Sequence, residues 1–188
     1  MAQSQKNQQK KVQKQKKREQ RLKKKKVLES LPAHLSPIKD CFVYSELWER
    51  GIGTVIVTRC MAGGRLFMAN YLLDVWFLGL KDAFVRETSD AELDIIISQA
   101  SMDRCDAPYA KALITGAINY GESHGLKANW SNKEKRFVSD IRFTESDYEF
   151  NFGRDGKPFY INGPHDDEII PKMTNSPDLL KFVDMMES

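Results

Sequence analysis

Apolar residues become frequent only from about Asp40 onward, and their spacing then changes character several times along the chain. Thr54–Cys60 is rich in β-branched residues, Met61-Ala62-Gly63-Gly64 supplies a turn, and Arg65–Tyr71 returns. That pattern predicts a β-hairpin. Val55 and Val57 fall on one side of the first strand and Ile52 and Ile56 on the other, so both faces are apolar. Strands of that kind belong in the middle of a sheet. The apolar run continues through Leu72–Leu80, where periodicity fits an extended strand and a helix equally well.

Helical spacing takes over at Ser89. Ser89-Asp90-Ala91-Glu92 has the form of a capping box, and Leu93, Ile96, Ile97 and Ala100 follow at i, i+3, i+4 and i+7. Asp106 is placed to cap a second helix with Pro108 in its first turn, an inward stripe of Tyr109, Leu113, Gly116, Ala117 and Tyr120, and Gly125 to end it. Ser131-Asn132-Lys133-Glu134 opens a third, carrying Phe137, Val138 and Ile141. Tyr148, Phe150 and Phe152 then alternate, Gly153–Lys157 turns, and Phe159 and Ile161 return, which predicts a second hairpin. Ser176 and Pro177 open a last helix with Leu179, Leu180, Val183 and Met186 inward. The expected fold is α+β: two β-hairpins forming an antiparallel or mixed sheet with three to five helices, preceded by a basic arm, disordered or helical.

That arm changes the picture most. Residues 1–26 hold twelve Lys/Arg against a single acid, Glu19, and almost no apolar side chain. Such a segment buries too little surface to offset its ordering entropy, yet its Gln, Lys and Arg are good helix formers with no Gly or Pro among them. Residues 27–39 read as a linker punctuated by Pro32 and Pro37, and residues 40–188 as one domain. The arm carries a net +11 while residues 27–188, with seventeen bases against twenty-five acids, carry −8. The overall +3 therefore conceals a basic arm on an acidic body. Opposite signs also permit the body to hold its own arm until a polyanion competes it away.

Several classes are excluded by composition. Cys41, Cys60 and Cys105 are odd in number and widely spaced, which argues against a disulfide framework or zinc site and for reduced thiols in the cytoplasm. No apolar stretch follows the basic N-terminus as a secretion signal requires. The longest apolar run, Leu66–Leu80, is too short to span a bilayer and contains Asn70 and Asp74.

The run Tyr71-Leu72-Leu73-Asp74-Val75-Trp76-Phe77-Leu78-Gly79-Leu80-Lys81-Asp82-Ala83-Phe84 resembles a stretch found in uncharacterised bacterial proteins. Ala112–Gly125 and the hairpin from Gly153 to Pro164 are similar to later parts of the same proteins. The resemblance covers Phe42–Asp167, leaves out the arm, implies a bacterial cytoplasmic protein, and transfers no functional residue.

Candidate chemistry is sparse. His165-Asp166-Asp167 could ligate a divalent ion, and Asp74 in its apolar run could join it as a hydrolase or nuclease site. The plainer expectation is that Asp166 or Asp167 caps the segment that Pro171 interrupts, and that Asp74 lies at a bend, bonded locally or paired with Lys81 or Arg65. Cys105, near a helix start, is a nucleophile only if a base approaches it. Phe150, Phe152, Phe159 and Tyr160 could stack bases, but alternating aromatics more often pack on a helix, and Asp147, Glu149 and Asp155 repel phosphate. Gly51-Ile52-Gly53 lacks the third glycine and lysine of a phosphate loop.

The arm is thus the leading functional element. Lys10, Lys11, Lys14, Lys16, Lys17, Arg18, Arg21, Lys23, Lys24, Lys25 and Lys26 are the expected phosphate contacts. The expectation is an accessory protein without catalytic residues or cofactor, binding RNA or a ribonucleoprotein, with DNA as the second fitting polyanion, while the acidic domain docks on a protein partner. Its rivals are the metal-dependent hydrolase or nuclease and a pure protein-interaction module whose arm is incidental. A membrane is disfavoured, because the arm has no apolar face to insert.

Overall fold

The computed structural model describes residues 13–23, 32–144, 147–163, 166–177 and 179. Five antiparallel strands form one sheet: β1 (Ile38–Tyr44), β2 (Ile52–Cys60), β3 (Arg65–Asp74), β4 (Gly79–Ser89) and β5 (Met102–Cys105). Their order across the sheet is β4-β3-β2-β1-β5. Among the described residues the helices are the short α1 (Leu47–Arg50), α2 (Asp90–Gln99), α3 (Ala107–Ser123), α4 (Asn132–Phe137) and α5 (Asp166–Met173), together with a helical stretch over residues 13–23. The fold is α+β, as the sequence predicts.

The β2–β3 hairpin forms where the turn residues demand it, with Gly63 and Gly64 both at φ +79, a region closed to most side chains. β2 lies at the centre of the sheet, and its two apolar faces meet two different layers. Val55 and Val57 pack with Ala69, Tyr71 and Leu73 under α3, whose Leu113, Ile114 and Ala117 are fully buried. Ile56, Leu66, Met68 and Phe42 face the other way, onto Leu93, Ile96 and Ile97 of α2. Three predicted caps are in place. The Ser89 hydroxyl accepts from the Glu92 amide, the Asp106 carboxylate from the Tyr109 amide at 2.6 Å, and Ser131 and Glu134 form a complete capping box.

The run Leu72–Leu80 resolves as neither continuous strand nor helix. β3 ends at Asp74, the chain turns, and β4 departs at Gly79, adding an edge strand the sequence pattern did not announce. Gly79 and Gly121 let this turn press against α3: a Cβ at Gly121 would lie 2.8 Å from the Leu78 carbonyl oxygen, and one at Gly79 2.6 Å from that of Ala117.

The second predicted hairpin is corrected by the structure. A turn with an isolated Arg154–Lys157 bridge is present, but residues 148–152 and 158–161 form no strand ladder. Tyr148, Phe150 and Phe152 pack on α3 and α1 instead, and Phe159 and Tyr160 on the β3–β4 turn, so side-chain burial rather than strand pairing sets the alternation. The distal part of the last predicted helix, with Leu180, Val183 and Met186, lies outside the described residues.

Candidate functional site

The arm is described over residues 13–23, which are helical and exposed at every position. Six of the expected phosphate contacts fall here: Lys14, Lys16, Lys17, Arg18, Arg21 and Lys23. Lys10, Lys11, Lys24, Lys25 and Lys26 lie outside the described residues. At about 100° per residue, Lys14, Lys17, Arg18 and Arg21 share one face of the helix, within an arc of roughly 100°. Lys16 and Lys23 project from the opposite side. Composition had hidden this i, i+3, i+4, i+7 stripe, although counting the spacing would have found it.

The cations of the folded domain are used differently. Arg59 on β2 is 1% exposed and fans out over three partners. It donates to the Ser36 carbonyl at 2.6 Å and twice to the Phe137 carbonyl, at 3.0 and 2.7 Å, and it pairs with Asp140. Its guanidinium also lies 5.2 Å from the centre of the Phe137 ring. Lys81 on β4 is equally buried and pairs with Asp166 at the start of α5. Asp166 further accepts from the Tyr160 hydroxyl at 3.0 Å and the Gly163 amide at 2.9 Å. Neither ion pair has a local sequence signal, because each carboxylate lies more than 80 residues away along the chain.

Two carboxylates of the proposed metal constellation, Asp74 and Asp166, have other bonding partners. Asp74 is buried at the β3–β4 turn, where its Oδ1 accepts from the Trp76 and Phe77 amides at 2.9 and 2.8 Å. Burial raises its carboxyl to about 6, against the pull of those amides and of Lys81. Asp166 is engaged as above, Asp167 is exposed, and His165 lies outside the described residues. Among the described residues no three His, Cys, Asp or Glu side chains are gathered to hold a metal ion.

Cys41 and Cys105 face each other across β1 and β5 as free thiols. Burial pushes Cys41 up to about 12 and Cys105 up to about 11, with Asp106 adding to the latter. That is the reverse of what a nucleophile needs.

The aromatics of the irregular segment make a wall over α3. Phe150 stacks on Trp48 with ring centres 5.9 Å apart, and Phe152 stacks on Tyr120 at 5.4 Å. Gly116 provides the room, since a Cβ there would lie 2.8 Å from the Phe152 ring. Phe159 meets Trp76 edge-on, and Tyr160 is buried against Phe77. All four candidate stacking residues are therefore committed to packing. Beside the wall runs an open groove of about 1060 Å³ bordered by Trp48, Trp76 and Tyr109, with Glu49, Glu149 and Asp155 around it.

No described helix is long and apolar enough to cross a membrane. No family model matches the chain, and no curated protein or solved structure is significantly similar to it.

Proposed function

We propose that the protein is a non-enzymatic accessory factor that holds RNA, free or within a ribonucleoprotein, through its basic arm, while the acidic domain selects a protein partner. The observation that carries this reading is the exposed stripe of Lys14, Lys17, Arg18 and Arg21 on a helix within a segment of net +11. A row of cations on one helix face can follow a phosphate backbone without reading base edges, so it supplies affinity that is indifferent to sequence. The body's net −8 repels phosphate and leaves the arm as the point of attachment. Asp74 and Asp166 are tied up in local bonds, which favours this reading over a metal-dependent hydrolase. A cytoplasmic setting is proposed with it, on the strength of three thiols without a disulfide.

Fluorescence anisotropy with a labelled single-stranded RNA tests the reading. Replacing Lys14, Lys17, Arg18 and Arg21 together with Gln should weaken binding by at least tenfold, and similarly for RNAs of unrelated sequence. Binding that survives this change intact would refute the arm as the contact.

A further inference from the structure

The groove beside Trp48 and Trp76 combines two features that favour one class of ligand. Its walls are aromatic faces, and its border carries three exposed carboxylates, Glu49, Glu149 and Asp155, against a single base, Arg154. That base shows what the walls attract. The Arg154 guanidinium lies 5.3 Å from the centre of the Trp76 ring in the wall, and 4.6 Å from that of Phe159, which does not line the groove. Aromatic faces attract cations through their quadrupole, and carboxylates at the rim select positive over neutral side chains. At about 1060 Å³ the space exceeds what one side chain fills and suits a short extended segment.

We propose that this groove docks an arginine- or lysine-rich segment of the protein partner. The proposal rests on the reading above, in which the domain chooses a protein partner, and it names the chemistry of that choice. Residues 13–23 of the chain's own arm do not occupy it, because each of them is exposed.

The test is a titration of the full-length protein with a hexa-arginine peptide, without RNA, read by intrinsic tryptophan emission. Trp48 and Trp76 line the groove and report its occupancy. A saturable change is expected, with the dissociation constant raised roughly tenfold in the Glu49→Gln, Glu149→Gln double variant. The Asp94→Asn, Glu168→Gln variant removes the same charge from exposed positions on α2 and α5 that do not line the groove, and it should bind like the parent. The variant with Gln at Lys14, Lys17, Arg18 and Arg21 should also bind like the parent and show the parent's emission before peptide is added. No saturable change, or equal weakening in the two charge variants, would overturn the proposal. A shifted starting emission in the arm variant would overturn it in favour of the chain's own arm. Because RNA is absent, failure here leaves the arm's RNA contact standing, and failure of that contact leaves this one standing.

Discussion

Arg59 and Lys81 in the domain and the stripe from Lys14 to Arg21 in the arm are the same two residue types put to opposite uses. In the domain each cation is about 1% exposed and paired with a carboxylate, and each joins segments distant in sequence. In the arm every described position is exposed. Buried cations must be paired, because desolvating a lone charge costs several kcal/mol, so their loss should appear in stability. Exposed cations contribute almost nothing to stability and remain available to an external polyanion. The comparison teaches that charge location, more than total charge, separates architecture from function here.

The sharpest way to break this contrast is at Lys81. Lys81→Ala leaves Asp166 charged and buried without its cation, and should lower unfolding stability by about 3–5 kcal/mol in urea titrations. The Lys81→Met, Asp166→Asn double variant should recover much of that loss, because no charge is then stranded. A Lys81→Ala protein as stable as the parent would show that the pair is not structural.

Asp74 gives the next effect, and its sign is opposite. Its carboxyl is raised to about 6, so the folded state favours the protonated form, and ionisation lowers stability as pH rises from about 4 through 6. Asp74→Asn keeps an oxygen for the Trp76 and Phe77 amides and removes the charge. It should therefore stabilise the fold at pH 7.5 by on the order of 3 kcal/mol. That gain should fade to nothing near pH 4. Thermal melts at the two pH values check it, and a gain independent of pH would contradict the assignment.

Gly121→Ala should cost about 1–3 kcal/mol, since its methyl would meet the Leu78 carbonyl where α3 and the β3–β4 turn touch. The smallest change in stability is expected from the arm. Gln at Lys14, Lys17, Arg18 and Arg21 should shift unfolding by no more than about 0.5 kcal/mol while weakening RNA binding at least tenfold.

Features decided by neighbouring residues were legible in the sequence. The β2–β3 turn needs two glycines in a left-handed conformation, and the caps at Ser89, Asp106 and Ser131 each lie within three residues of their partners. The strand β4 was not legible, because Lys81 reads as the polar end of an apolar run until Asp166 arrives to neutralise it. The irregular aromatic segment differs from the sequence expectation for a related reason. Alternation at Tyr148, Phe150 and Phe152 is what a strand requires, but an extended chain laid across α3 buries alternate residues equally well. In the candidate sites, the arm was found by composition alone. The groove was invisible, because it is lined by segments near residues 48, 76 and 150 that meet only in three dimensions.

The central claim is that RNA is held by the exposed cations of the arm and not by the domain. It is tested most directly by measuring affinity for a single-stranded RNA over a series of salt concentrations. Each phosphate contact adds about −0.7 to the slope of log K against log salt on a single strand, so the four-Gln variant should bind at least tenfold more weakly and with a slope shallower by about 3. Tight binding with a shallow slope, unchanged in that variant, would place the RNA contact elsewhere and contradict the account.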